Sequence, residues 1–182
     1  DLQSTEKLRP LIRHLKTFLN CPPLLVKIAP DLSNEQIRDL AIVAQEEKLA
    51  GIIAINTSLN RLGLEERILS QTGRALKDEE GGLSGLPLQN RGKEVITILR
   101  SVVGNDLPLI GVGGIASPKS AWERVSAGAS LLQIYTGWIF EGPYLVPEIL
   151  NGFINQIDHH GFNNISEVVG SNAPWIEDGK KK

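Results

Sequence analysis

The most constraining feature of the sequence is the stretch Leu107–Ile115, which reads Leu-Pro-Leu-Ile-Gly-Val-Gly-Gly-Ile. A short apolar run needs cover on both faces, so it predicts a buried parallel strand in an α/β protein. The run ends in Gly113 and Gly114, which lack a Cβ and allow a sharp turn and a close approach to a ligand. Ser117 and Pro118 then predict the start of a helix. Two interpretations are open: an ordinary tight turn, or an anion site made of backbone N–H groups and a helix N-terminus.

Three more apolar segments have the length of buried strands, and helical patterns alternate with them. These strands are predicted at Leu24–Ile28, Gly51–Thr57 and Ser130–Tyr135. Helices are predicted at Ser4–Asn20, Ser33–Lys48, Asn90–Val103 and Ser117–Ala127, and a last long helix opens at Gly142. The alternation of strand and helix predicts a parallel sheet with right-handed crossovers.

Polar residues follow the strands at their carboxyl ends. Lys27 lies near the end of an apolar strand, where it either meets an anion or extends to water. Asn56 and Thr57 end the next strand, and side chains of this kind either bind a ligand or begin a turn. Tyr135 and Thr136 end the last one. In a (β/α)8 barrel, this end of the sheet carries the active site.

The predicted units amount to half of such a barrel. A (β/α)8 barrel has eight βα units and usually about 250 residues, whereas this chain has four units in 182 residues. We therefore expect an α/β fold of the TIM barrel family, of which only half is present in this chain. One long irregular segment, Ser58–Gln89, interrupts the pattern. Its glycine-rich part, Gly81–Gly85, predicts either a nest of N–H groups for an anion or a flexible hinge.

Composition excludes several classes of function. The net charge of −2 gives no reason to expect nucleic acid as a partner. A single cysteine, Cys21, and three histidines make a zinc site or a disulfide a poor interpretation, so we expect no metal and an inert thiol. The sequence has no apolar run of transmembrane length and no signal peptide, and we expect a soluble chain of the cytoplasmic type.

Five sequence blocks occur in an order that supports a family resemblance. They are Val-Lys-Ile-Ala-Pro-Asp-Leu-Ser (Val26–Ser33), Ile-Asn-Thr (Ile55–Thr57), Gly-Gly-Leu-Ser-Gly-Leu-Pro-Leu (Gly81–Leu88), Ile-Gly-Val-Gly-Gly-Ile (Ile110–Ile115) and Ala-Gly-Ala-Ser-Leu-Leu-Gln-Ile-Tyr-Thr-Gly (Ala127–Gly137). Together they resemble the C-terminal half of a class 2, quinone-dependent dihydroorotate dehydrogenase. The resemblance implies that the strands here are barrel strands five to eight. It also implies that residues 1–158 form half of an FMN-binding barrel. The tail that follows, residues 159–182, is polar and ends in three lysines, and we expect it to pack loosely, with Trp175 as an anchor.

The resemblance further implies a set of ligand contacts. The family oxidises dihydroorotate to orotate in pyrimidine synthesis, with FMN as cofactor and a quinone as electron acceptor. By motif, Lys27 matches the lysine that contacts the flavin ring, and Asn56 and Thr57 match the pair that binds the orotate ring. Ile55 stands where family members commonly have a threonine that touches FMN, so we expect only a backbone contact there. The other expected FMN contacts, chiefly around the phosphate, are Gly85, Gly114, Tyr135 and Thr136.

The resemblance implies that the catalytic base lies outside this chain. In the family, a serine on the loop after the fourth barrel strand takes the proton, and neither Ser58 nor Ser84 matches that motif. We expect the chain alone to be inactive as a dehydrogenase, because a base must lie within hydrogen-bond reach of its proton. The family's N-terminal membrane-associating segment is not matched either, so membrane association is expected of the full-length enzyme only. The open edges and apolar inner face of a half-barrel also predict self-association.

Two other functions fit parts of the sequence. One is a binding module, a half-barrel that holds a phosphate ligand and performs no chemistry. The other is a different phosphate-binding barrel, such as an isomerase of phosphosugars, which rests on fold analogy alone. Lys27, Asn56 and Thr57 favour the dehydrogenase, because a generic phosphate barrel needs none of them at those points.

Overall fold

Four parallel strands form a single sheet in chain order. The structure, a computed structural model, describes residues 2–62, 64 and 66–177. The strands are β1 (Leu25–Ile28), β2 (Gly51–Ala54), β3 (Leu109–Val112) and β4 (Leu131–Gln133), paired in the order β1-β2-β3-β4. All three pairings are parallel, which confirms the predicted sheet. Within the described residues β1 and β4 are edge strands, so the barrel is not closed.

The helices follow the predicted alternation, with differences at the ends. They are α1 (Thr5–Leu15), α2 (Asn34–Glu46), α3 (Gln89–Val103), α4 (Pro118–Ser126), α5 (Thr136–Glu141), α6 (Leu145–His160) and α7 (Ile165–Val168). The predicted extension of α1 to Asn20 is wrong, because the chain forms tight turns after Leu15 and leaves Phe18 and Leu19 exposed. The short helices α5 and α7 were not predicted.

The helices α2, α3 and α4 cover one face of the sheet, and the opposite face, here called the inner face, is open. Ile28, Ile52 and Leu109 point toward the helices and are fully buried, which stabilises the fold by about 2 kcal/mol per side chain. Lys27 and Leu131 lie on the inner face, joined by the register through β2 and β3. Leu131 is 61% exposed there. This open inner face is what the predicted half-barrel requires.

The segment after α6 packs against α4 and α6. Val168 is fully buried beside Trp122, and the Trp122 Nε1–H donates to the carbonyl of Ala173 at 2.9 Å. Trp175 is partly buried in the same cluster, where it anchors the segment as predicted. The prediction that this tail packs loosely is therefore wrong for its described residues, because the apolar side chains within the polar sequence find a common cluster. The three terminal lysines of that prediction lie outside the described residues.

None of the helices in the described part of the chain has the length and the apolar character needed to cross a membrane.

Candidate functional site

The carboxyl ends of the four strands surround one cavity. It encloses about 530 Å³ of empty space, part of it open to solvent. The parallel sheet explains this convergence, because strands that run in one direction place their carboxyl ends along the same edge. Every residue predicted to contact cofactor or substrate lines this cavity: Lys27, Ile55, Asn56, Thr57, Gly85, Gly114, Tyr135 and Thr136.

Lys27 brings positive charge to the cavity from β1. Its side chain is exposed on the inner face, and it forms no ion pair with any other described residue. A cation without a counter-charge favours a ligand that carries or develops negative charge. No group of three or more metal-ligating side chains occurs among the described residues.

The three residues after β2 divide between core and cavity. The N–H of Ile55 donates to the carbonyl of Val112 at 3.0 Å, and the N–H of Asn56 donates to the carbonyl of Ile28 at 2.7 Å. These bonds extend β2 toward the cavity. The Ile55 side chain is 2% exposed and belongs to the core, whereas Asn56 and Thr57 are exposed. An amide and a hydroxyl thus reach the cavity wall from a well-anchored backbone.

The loop before α3 closes the cavity beside Thr57. Ser58 and Leu83 exchange backbone hydrogen bonds of 3.0 and 2.7 Å, and Asp31 accepts from the N–H of Leu59 at 2.8 Å. A Cβ on Gly82 would lie 2.1 Å from the Thr57 hydroxyl oxygen, so only glycine fits there. These contacts anchor the glycine-rich part of the loop at the cavity, which favours a ligand-facing role over that of a flexible hinge.

The turn after β3 is held closely against α3. Gly113 and Gly114 have φ angles of +96° and +73°, which favour glycine over residues with a side chain. A Cβ on Gly114 would lie 2.5 Å from the backbone N and Cα of Gln89. Gly114 therefore allows the turn to pack directly on the start of the helix, with the cavity on its other side.

The N-terminus of α4 is capped by its own side chains. The Ser120 hydroxyl accepts from the N–H groups of Ala116 and Ser117 at 3.0 Å each, and the Ser117 hydroxyl accepts from the N–H of Ser120 at 3.2 Å, so these three N–H groups are used within the chain. These three N–H groups are not available to an anion, and the anion site predicted for this stretch stays a prediction. The glycine turn, and not the helix end, faces the cavity.

The loop after β4 completes the wall opposite β1. The Thr136 hydroxyl donates to the Ser84 hydroxyl at 3.0 Å, and this bond joins the loop to the glycine-rich segment. Tyr135 is 77% exposed. A second cavity of about 650 Å³ shares Gly85, Gly114 and Thr136 with the first and extends toward α5. The two cavities together form an elongated site.

Sequence reasoning missed Arg124, which lies behind the glycine turn. Its side chain is 1% exposed, and its guanidinium donates to the carbonyls of Val112, Gly113 and Gln89 at 3.0, 2.8 and 3.1 Å. The sequence did contain a sign of this burial: Arg124 lies on the same face of α4 as the buried residues Ala121 and Val125.

Comparison with known proteins identifies the family. A profile described as "Dihydroorotate dehydrogenase" matches residues 1–157. The chain belongs to the dihydroorotate dehydrogenase family. It is 61% identical over 175 residues to the dihydroorotate dehydrogenase (quinone) of Prochlorococcus marinus (strain MIT 9313), covering 96% of this chain and 45% of that protein. The Synechocystis enzyme of the same name is 51% identical over 81% of this chain and 39% of its own length. These names confirm the quinone-dependent class predicted from the sequence blocks.

Solved dihydroorotate dehydrogenase structures share the fold. The ligand-free enzyme from Eimeria tenella superposes with a TM-score of 0.80 at 30% identity, over 94% of this chain and 51% of that one. Its complex with ferulenol gives a TM-score of 0.79 over the same share of this chain. The four parallel βα units are thus half of a TIM barrel, as predicted. The chain spans about half the length of the dihydroorotate dehydrogenases it matches.

Proposed function

We propose that this chain forms the FMN- and orotate-binding half of a quinone-dependent dihydroorotate dehydrogenase. The observation that carries the proposal is the convergence of the predicted contact residues, from the ends of all four strands, on one elongated site.

The residues present fit FMN. Gly85 and Gly114 have positive φ angles and bring the backbone close to the space where a phosphate would lie, and backbone N–H groups are suited to bind phosphate oxygens. Tyr135 and Thr136 would complete that end. Lys27 would lie toward the flavin ring, where its cation stabilises negative charge, and Ile55 would contact the ring through its backbone. FMN held by these residues would supply the acceptor for a hydride from dihydroorotate and the redox chemistry that links it to a quinone.

The substrate would bind beside the ring. Asn56 offers an amide that donates and accepts hydrogen bonds, and Thr57 offers a hydroxyl that does both. Dihydroorotate and orotate present ring N–H groups, carbonyl oxygens and a carboxylate, so this pair can hold the ring in a fixed orientation. Orientation of this kind is a major part of catalysis when the reacting groups are held at contact distance.

We also propose that the chain alone binds these ligands without oxidising dihydroorotate. No Asp, Glu or His is among the described residues that line the first cavity, and Ser84 accepts a hydrogen bond from Thr136 at its edge. The proton that leaves dihydroorotate needs a base within hydrogen-bond reach. The parent enzyme would obtain that base from the other half of the barrel.

Flavin titration tests the proposal. We expect the purified chain to bind FMN with a characteristic change in the flavin absorption spectrum, and to form no orotate from dihydroorotate with a quinone present. Lys27→Met should weaken FMN binding, whereas Lys93→Met, on the exposed side of α3, should leave it unchanged. Asn56→Ala should weaken orotate binding to the FMN-loaded chain.

Three outcomes decide between the candidate functions. No FMN binding under any condition contradicts the flavoprotein proposal. Binding of inorganic phosphate without flavin favours the alternative of a non-catalytic module, which the glycine turn alone would support. Turnover of dihydroorotate by the chain contradicts the proposed inactivity.

We also propose that the chain associates with further copies of itself. Leu25 and Leu131, on the two edge strands, are 44% and 61% exposed. Unpaired strand edges next to apolar surface favour pairing with another chain. We expect oligomers at high protein concentration, and light scattering that gives a monomer mass throughout would contradict this.

A further inference from the structure

Arg124 is a buried cation that the proposed ligand contacts leave unexplained. Its guanidinium forms no ion pair with a carboxylate among the described residues and instead donates to three backbone carbonyls, those of Val112 at the end of β3, Gly113 in the glycine turn and Gln89 at the start of α3. A buried charge costs several kcal/mol unless polar groups compensate it. The three carbonyls supply part of that compensation for Arg124.

The surrounding chain makes room for this side chain. A Cβ on Gly92, the fourth residue of α3, would lie 2.5 Å from the guanidinium Nη1, and a Cβ on Gly111, in β3, would lie 2.5 Å from the Arg124 Cγ. Glycine inside a helix or strand costs about 0.5–1 kcal/mol relative to alanine. Both α3 and β3 thus lose some stability at the glycines that leave space for the Arg124 side chain.

The hydrogen bonds of Arg124 set the direction of the peptide groups in the turn. In a trans peptide the carbonyl and the following N–H point in opposite directions, and the only cis bond among the described residues is Ala54–Ile55. The carbonyls of Val112 and Gly113 point at the guanidinium. The N–H groups of Gly113 and Gly114 therefore point away from it, and both glycines line the cavity.

The charge of Arg124 persists at neutral pH. Burial lowers the pKa of its guanidinium to about 10, so the group is fully protonated at pH 7. A positive charge in a medium of low effective dielectric acts over a longer distance than one in water. It lies directly behind the turn whose other side lines the site.

We propose that Arg124 is a positioning residue of the phosphate end of the site: it aims the N–H groups of the glycine turn at a phosphate group and adds a buried positive charge that raises the affinity for that anion. The proposal rests on the proposed function for the identity of the ligand, FMN. The dependence of anion binding on Arg124 can be tested with inorganic phosphate alone.

The experiment compares variants of the full chain by calorimetric titration with inorganic phosphate, FMN and riboflavin, which lacks the phosphate. The measured quantity is the ratio of the riboflavin and FMN dissociation constants, together with the dissociation constant for phosphate. Arg124→Met should reduce the ratio and the phosphate affinity by about tenfold or more. Arg124→Lys, which keeps the charge, should recover part of the loss.

Two further variants separate orientation from charge and from stability. Gly92→Ala keeps the charge and favours the helix but displaces the guanidinium, so it should reduce the ratio as well. Arg100→Met is the matched control, because Arg100 is half-buried and also donates to a backbone carbonyl, that of Gly128, at the opposite end of the sheet. It should lower stability and leave the ratio unchanged.

The outcomes distinguish this proposal from the proposed function. The role of Arg124 is overturned if folded Arg124→Met keeps the wild-type ratio of the riboflavin and FMN dissociation constants, or if Arg100→Met lowers that ratio equally. In both cases the proposal that the chain binds FMN is unaffected. If Arg124→Met does not fold, wild-type ratios in both Gly92→Ala and Arg124→Lys overturn that role. Phosphate binding that depends on Arg124, without FMN binding, supports the role and overturns the proposed function. A wild-type chain that binds neither phosphate nor flavin overturns both.

Discussion

Replacing Gly114 with alanine tests the close packing of the glycine turn on α3. A Cβ at this position would lie 2.5 Å from two backbone atoms of Gln89, which cannot move aside as a flexible side chain would. The φ angle of +73° adds a second penalty, because an L-residue in the left-handed region costs about 1–2 kcal/mol. Both penalties act on a residue that lines the proposed phosphate end of the site.

Gly161 provides the matched control for this substitution. Its φ angle is +70°, and a Cβ there would meet nothing within 4 Å. Gly161→Ala should therefore lose only the backbone contribution, about 1–2 kcal/mol. Gly114→Ala should lose the same amount plus the cost of overpacking, about 1–3 kcal/mol, for a total of about 2–5 kcal/mol.

Urea denaturation followed by far-UV circular dichroism measures both losses, and FMN titration of the folded variants measures the effect on the site. Gly114→Ala should be the less stable variant and should bind FMN more weakly, while Gly161→Ala should bind it as the wild type does. Equal losses of unfolding free energy in the two variants would refute the reasoning, because the contact with Gln89 would then cost nothing. Unchanged FMN affinity in Gly114→Ala would show that the turn does not face the ligand.

Three other predictions concern the scaffold. A hydrogen bond from Arg13 lowers the pKa of the Glu47 carboxyl below its ordinary value of 4.5, so Glu47→Gln should destabilise the chain at pH 7. In thermal melts, the difference between this variant and the wild type should vanish as the pH falls below 4.5 through the folded-state pKa, because the wild-type carboxyl is then protonated. Trp122→Phe leaves the Ala173 carbonyl without its indole donor and should lower the unfolding free energy by about 1–3 kcal/mol, measured in urea; no loss would mean that water replaces the donor. Leu131→Lys on the β4 edge should shift the chain toward monomers in light scattering, and unchanged oligomers would place the association elsewhere.

The sheet and the residues at its carboxyl edge could be predicted because both follow from local patterns. Short apolar runs separated by helical periodicity specify buried parallel strands, and a parallel sheet gathers their ends at one edge. The proximity of Lys27, Asn56 and Gly114 can therefore be predicted from the order of the strands, without other long-range information. The helix α2 is encoded just as locally: its apolar stripe is buried, and Ser33 and Gln36 form a capping box at its start.

The features that sequence reasoning missed depend on packing between distant segments. Arg124 is recognisable as a buried cation only when Gly92 on α3 and Gly111 on β3 are known to leave space for it. The tail after α6 has a polar composition, and its order comes from the few side chains that join Trp122. Ser117 and Pro118 signal the start of α4, but only the structure shows that the Ser120 hydroxyl accepts from the N–H groups of Ala116 and Ser117.

The two ends of the proposed site depend on different parts of a barrel. The proposed phosphate end consists of the turn after β3, the loop after β4 and Arg124, which reaches from α4 to the start of α3, and this chain supplies all three. The ring end lies on the inner face, where Lys27 is exposed because the sheet does not close. Strands from the whole barrel fill that interior, so the surroundings of the ring are complete only when all eight are present. We therefore expect this chain to bind FMN more tightly than riboflavin even though it does not oxidise dihydroorotate.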